Sequence, residues 1–126
     1  MGKIKGIYAA TLSILNDDLS LNVQKTVLHA ENLINKGCHG VAFFGSTGQA
    51  QLIPISEKIN LLNIISKNKN KDNFIIGTGL NSLVETINLM KVAISLNFKN
   101  SDETIKPQHA VQRLYELTKD KDTFIT

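Results

Sequence analysis

The chain predicts an α/β fold with a parallel sheet, and three observations carry that expectation. Short apolar runs alternate with segments whose apolar residues recur at helical spacing, in the order strand, helix, strand, helix, strand, helix. The second and third strands, Gly40 to Phe44 and Phe74 to Gly77, are nearly continuous apolar runs, as in a parallel sheet covered on both faces. Each of these two strands ends in a turn built from glycine and hydroxyl residues: Gly45-Ser46-Thr47-Gly48 after the second, Gly77-Thr78-Gly79-Leu80-Asn81-Ser82 after the third. Backbone N–H groups and hydroxyls at the carboxyl end of a strand are where α/β proteins hold small anionic ligands. Two such ends at matching positions predict one shared mouth.

The elements follow in order. Ile4 to Leu12 reads as the first strand, with β-formers and small residues. Asn16-Asp17-Asp18 is a turn with both carboxylates in solvent. Ser20 is placed to cap a helix that runs to about Lys36, with Val23, Val27, Ala30 and Ile34 on its apolar side. Gly37 ends it in the left-handed conformation. Pro54 and Ser56 open a second helix, with Ile55, Ile59 and Leu62 on one face and Glu57 near the positive end of its dipole. Ser82 caps a third helix carrying Leu83, Ile87, Met90 and Ile94 as its apolar stripe. Asn81 and Ser82 read as turn and cap rather than as ligand contacts. Right-handed crossovers then connect the strands.

After Phe98 the rhythm breaks. A polar stretch, Lys99 to Thr104, stands where a fourth strand would begin. Pro107 opens another helix with Ala110, Leu114 and Leu117 inward, Asp120-Lys121-Asp122 is a turn, and Phe124-Ile125-Thr126 looks like the start of a strand. Residues 1–99 therefore read as one unit, and 100–126 as a foreign or divergent tail with one helix.

The bulk numbers narrow the function classes. A chain of 126 residues with 42% hydrophobic and 20% charged residues is long enough for one domain with a real core. The formal charge is +3, and its excess lies largely in Lys67-Asn68-Lys69-Asn70-Lys71. No aromatic residues interleave that run, so it reads as a solvated loop and not as a nucleic-acid platform. No apolar run approaches the ~20 residues of a membrane span. The start, Met1-Gly2-Lys3-Ile4-Lys5-Gly6, lacks the apolar core of a signal peptide and the hydroxyl of a myristoylation site. Cys38 is the single cysteine, which suits a reducing compartment; it reads as a small packed residue beside a helix end. A cytoplasmic location is expected. His29, His39 and His109 share no ligand spacing, so neither a metal site nor a cofactor is expected.

Five pieces of the chain, Gly6-Ile7-Tyr8-Ala9-Ala10-Thr11, Gly37-Cys38-His39-Gly40, Gly45-Ser46-Thr47-Gly48, Ser56-Glu57 and Gly77-Thr78-Gly79-Leu80-Asn81-Ser82, carry a resemblance over about residues 6–99. With their spacing they resemble the dihydrodipicolinate synthase and N-acetylneuraminate lyase family, class I aldolases built on a (β/α)8 TIM barrel. The resemblance implies a partial barrel, about the first three βα units, and chemistry on pyruvate or a related 2-oxo acid through a lysine Schiff base. It implies that Ser46 and Thr47 bind the substrate carboxylate, since the family's hydroxyl pair after strand two does so. Two departures stand out: Gln49 where the family usually has Glu, and Ser13 where it often has Pro.

In the family the Schiff-base lysine and a proton-handling tyrosine lie on later strands. No lysine here matches the nucleophile's motif, and Tyr8 and Tyr115 do not match the tyrosine's context, so no catalytic residue is assigned. The tail, Asp102 to Leu117 and on through Asp122 to Thr126, resembles the large subunit of acetolactate synthase at the start of its thiamine diphosphate domain. No thiamine-binding residue carries over. Three readings follow: a lyase fragment truncated before its catalytic Lys and Tyr and inactive alone; a small module that binds a 2-oxo acid such as pyruvate weakly; or an unrelated βα domain, against which the paired strand ends argue. A piece of barrel with open sheet edges is also expected to self-associate.

Overall fold

The computed structural model describes residues 5–98. In chain order these form β1 (Tyr8–Ala10), α1 (Val23–Asn35), β2 (Gly40–Phe43), a 3-10 turn (Ala50–Leu52), α2 (Ile55–Ile65), a second 3-10 turn (Lys71–Asn73), β3 (Phe74–Ile76) and α3 (Leu83–Ser95). The strands form one parallel sheet in the order β1-β2-β3. This is the α/β arrangement the sequence predicts, and it matches the first three βα units of a TIM barrel. Among the described residues no helix is long and apolar enough to cross a membrane. The tail readings, from Lys99 through the helix at Pro107 to the strand at Phe124, lie outside the described residues, as do Ile4 and His109.

Register decides which side of the sheet is core. Ala9 pairs with Val41 and Val41 with Phe74; Phe43 pairs with Ile76. Side chains at paired positions and two residues apart share a face. Val41 and Phe43 are fully buried, and Ala9 and Ile76 pack on the core, so this is the face that the helices cover. The other face carries the row Ala10, Ala42 and Ile75, of which Ala10 is exposed and the others half-buried. The fully buried bulk lies on the helix side. There Phe43 meets Phe74 edge-on at 5.2 Å between ring centroids, with Leu61, Leu62, Ile65 and Leu89 fully buried around them.

The strands are shorter than the sequence suggests, and the first two helices shift only at their ends. β1 is Tyr8–Ala10 instead of Ile4 to Leu12, the three residues in register with Gly40, Val41 and Ala42 of β2. Ser20 does not cap α1. Its backbone N–H and its hydroxyl both bond Asp18, closing a turn, and Asn22 takes the cap by accepting the Lys25 N–H at 2.9 Å. Those same bonds hold the exposed Asp18 carboxyl below the usual range. Val23, Val27, Ala30 and Ile34 do face the core, and Gly37 is left-handed at φ 111°. In the basic run, Lys67 and Lys69 are exposed, but Lys71 is recruited: its ammonium donates to the Leu96 carbonyl at 2.6 Å, at the end of α3.

α3 departs most from expectation. Ser82 caps it as foreseen, accepting the Glu85 N–H at 3.3 Å. Its buried side is Thr86, Leu89 and Ala93, while Leu83 (65%), Ile87 (38%) and Ile94 (54%) are exposed. The helix has two apolar stripes, and a hydroxyl chooses between them. Thr86 Oγ1 accepts the Leu80 N–H at 3.0 Å and donates to the Ser82 carbonyl at 3.0 Å. These bonds satisfy backbone groups that packing would leave without water. They turn Thr86 inward and leave Leu83, Ile87 and Ile94 facing out.

At the amino-terminal edge the layers approach as closely as the backbone permits. A Cβ on Gly40 would overlap the Asn73 carbonyl oxygen and the Tyr8 ring, whereas one on Gly79 would meet open space. Gly40→Ala is expected to cost about 1–3 kcal/mol, the range for overpacking a close-packed site. Gly79→Ala should stay within about 0.5 kcal/mol of the parent. Urea denaturation of the two variants side by side checks the difference.

Candidate functional site

At the carboxyl edge of the sheet three chain crossings interlock. The pairing of β1 with β2 continues beyond the strand, since the Thr11 N–H donates to the Ala42 carbonyl at 3.0 Å. β2 ends at Phe43, and Phe44 then turns left-handed with φ 59°. That conformation is unfavourable for a bulky aromatic residue and persists only where its surroundings hold it. The Phe44 ring is buried, tilted against Phe43 at 6.3 Å. On the backbone side, the Gly77 N–H donates to the Phe43 carbonyl at 2.8 Å. A Cβ on Gly77 would come within 2.5 Å of the Phe44 carbonyl oxygen, and one on Gly48 within 3.0 Å of the Thr11 carbonyl oxygen. Glycine at both positions is what lets the ends of β1, β2 and β3 come together.

The loop after Phe44 is a closed turn. Gln49, left-handed at φ 51°, donates its N–H to the Ser46 carbonyl at 3.0 Å. Ser13 donates its hydroxyl to the Gly48 carbonyl at 2.6 Å, tying the segment after β1 to this turn. Ser13 stands where the family pattern often has Pro, and a proline could not make this bond. Ser46 and Thr47 lie at the exposed tip, and among the described residues neither hydroxyl has a hydrogen-bond partner. Both are open to an incoming acceptor such as a carboxylate.

A depression of about 310 Å³ opens nearby, between the start of α2 and the turn after β3. It is lined by Gln51, Leu52, Ile53, Pro54, Ile55, Leu80, Asn81 and Glu85. Ser46 and Thr47 are outside this lining. The β2 and β3 ends thus meet through backbone at Phe44 and Gly77, while the concave surface belongs to the outer side of the third turn. His39 sits at the opposite end of the sheet, where its Nδ1 accepts the Ile7 N–H at 3.0 Å. Cys38 is half-buried beside it in sequence. Among the described residues no group of His, Cys, Asp or Glu is arranged to hold a metal ion.

Two residues have roles that the sequence reading did not give them. Ser13 stood out only as a departure from the family pattern, and its bond is to a carbonyl far along the chain. Lys58 went unremarked, although the sequence carries a signal for it. It occupies the first place in the stripe Lys58, Leu61, Leu62 and Ile65 on α2, all fully buried. A lysine at a core position of an i, i+3, i+4, i+7 stripe is unusual. Its ammonium has no hydrogen-bond partner and lies 5.4 Å from the Phe44 ring centroid. Desolvation lowers its pKa from the ordinary value of 10.5, and the charge of Glu85 opposes that shift. Glu57, next to it, is committed elsewhere, accepting the Leu21 N–H at 2.9 Å.

Residues 3–99 match the Dihydrodipicolinate synthetase family. The chain belongs to that family. An uncharacterized DapA-like lyase from Chloroflexus aurantiacus is 31% identical over 97 residues, 76% of this chain and 32% of that protein. A 4-hydroxy-tetrahydrodipicolinate synthase from Corynebacterium urealyticum is 28% identical over 88 residues, 69% of this chain and 29% of that protein. Among solved structures, the N-acetylneuraminate lyase from Aliivibrio salmonicida superposes with a TM-score of 0.69 at 27% identity, over 78% of this chain and 33% of that one. The chain spans about a third of the length of the curated relatives it matches. In this family member the match ends at residue 99, where the rhythm of the sequence also breaks.

Burial of an unbonded ammonium makes Lys58 a stability liability. Lys58→Met keeps the length of the side chain and removes the charge, and should raise stability at pH 7 by about 1–3 kcal/mol. The pH dependence has a definite sign. Between the lowered folded pKa and 10.5 the unfolded chain still holds a proton that the folded chain has released, so stability from Lys58 rises with pH through that window. The Lys58→Met variant should lack this rise, so the difference between the two proteins in urea midpoint should shrink from pH 7 to pH 10.5.

Proposed function

We propose that this chain carries the carboxylate-binding part of a pyruvate-dependent lyase of the dihydrodipicolinate synthetase family, and that it forms no Schiff base by itself. The observation that supports this most is the Ser46–Thr47 tip: two unpartnered hydroxyls, side by side, on a turn fixed by Ser13, Phe44 and Gly77. Hydroxyls and backbone N–H groups at a strand end suit a carboxylate, and charge-assisted bonds to one are the stronger kind. Schiff-base chemistry also requires an uncharged lysine amine beside the keto carbon. Lys58 has the lowered pKa but is fully buried against the Phe44 ring, whereas Ser46 and Thr47 are exposed. The lyase reaction of the family would then need the lysine and tyrosine that family members carry on later strands.

The substrate class proposed is a 2-oxo acid such as pyruvate. One or two charge-assisted hydrogen bonds contribute about 1.5–3 kcal/mol each before the entropy of ordering the ligand is subtracted, so binding is expected near millimolar. Among the described residues β1 and β3 form the unpaired edges of the sheet and the face of Ala10, Ala42 and Ile75 is thinly covered, which favours self-association in the same solution. Sedimentation velocity across a range of concentrations should show it, and a monomer at every concentration would remove that part of the proposal.

Titration with pyruvate, followed by amide shifts in an NMR spectrum, should perturb Ser46 and Thr47. Thr47→Val should abolish the effect, and His39→Gln, at the other end of the sheet, should leave it. Tight binding that survives Thr47→Val would overturn the assignment of this loop. In parallel, pyruvate with borohydride should trap no adduct at a specific lysine. Stoichiometric labelling of one lysine, located by mass spectrometry, would overturn the statement that the chain forms no Schiff base alone.

A further inference from the structure

We infer that Lys58 is a positioning residue for the Ser46–Thr47 turn and acts through the ring of Phe44. The inference rests on the reading of that turn as the carboxylate site, but its main test does not. Four observations carry it. Lys58 is fully buried and its ammonium has no hydrogen-bond partner, so packing alone would favour an apolar side chain there. What the ammonium does have is the face of Phe44 at 5.4 Å, and a desolvated cation over an aromatic face is strongly attracted. Phe44 is the left-handed residue that turns β2 into the Gly45–Gly48 loop, so whatever fixes its ring fixes the direction in which the loop leaves the sheet. Finally, Lys58 lies on α2, the element in which that same connection ends, so the contact clamps the loop at both its ends.

The backbone and the ring divide the work. Gly77 and Gly48 allow close approach to Phe44, but allowing a position does not hold it. Phe43 meets the ring only at a tilt, with 52° between planes and 6.3 Å between centroids. Glu85, whose charge opposes the lowering of the Lys58 pKa, favours the ammonium form that a cation–π contact requires. A purely structural lysine would be improved by an apolar replacement in every respect. A positioning lysine would be improved in global stability and worsened in the order of one loop.

Hydrogen exchange of the Gln49 and Ala50 amides, which close the loop on the Ser46 and Gly45 carbonyls, compared with the urea midpoint, separates these two cases. In Lys58→Met the midpoint should rise while exchange of these amides speeds up by about tenfold. Lys58→Arg, which keeps a cation able to stack on the ring, should hold exchange within about threefold of the parent. Phe44→Leu should speed the same amides, and adding Lys58→Met to it should change them little further, because the partner is already gone. Exchange unchanged in Lys58→Met, or an effect of full size in the Phe44→Leu background, would overturn the inference. If Lys58→Met does not fold, Phe44→Leu decides: unaltered exchange at Gln49 and Ala50 would overturn it equally. A pyruvate titration of the parent that moves no amide in the loop would instead overturn the carboxylate reading, and the exchange comparison would still judge Lys58.

Discussion

The left-handed turn at Phe44 is the constraint on which the carboxyl edge of this molecule depends. A bulky residue with φ 59° is held there by contacts from three directions. Gly77 and Gly48 clear space for its backbone, Phe43 and Lys58 flank its ring, and the Gly77 N–H reaches back to the Phe43 carbonyl. The ends of all three strands meet at this point. The Ser46–Thr47 tip inherits its position from it, with Ser13 adding a bond from the first strand's exit. An exposed loop gains a defined place because the residue that starts it is buried.

Burial of polar side chains recurs as the means by which the helices are aligned. Thr86 turns α3 so that the backbone of the preceding turn is satisfied, and apolar surface is left facing outward as a result. Glu57 on α2 accepts the Leu21 N–H and so draws the β1–α1 connection toward the second helix. Thr26, fully buried on α1, accepts the Ile14 N–H at 3.0 Å. In each case one side chain removes an unpaired backbone donor from the interior, which would otherwise cost more than the buried polar atom does. Lys58 is the exception: buried, yet without a hydrogen bond, it has only a ring to face.

Membership of the dihydrodipicolinate synthetase family and the (β/α) order place the strand ends on the side where barrels of this kind carry ligands. The chain covers about a third of its relatives, and the described part holds the hydroxyl pair without the later strands. The hydroxyl pair proposed above as a carboxylate site stands on a turn braced from beneath.

Much of this was legible in the sequence. The alternation of apolar runs with helical periodicity determined three parallel βα units, and the paired Gly-rich strand ends marked the edge where the strand ends meet. Those features are local, since strand, helix and turn each depend on residues close in sequence. The helix faces were legible only in part. Leu83, Ile87 and Ile94 form an apolar stripe as good as the one that is buried, and hydropathy cannot choose between two such stripes. The choice fell to the hydrogen bonds of Thr86, which exist only once the turn before α3 is packed. Lys58 in the core, Ser13 on Gly48 and the left-handed Phe44 were likewise decided by tertiary structure. Each depends on a partner distant in the chain, and no periodicity records which distant groups will be brought within a few ångströms.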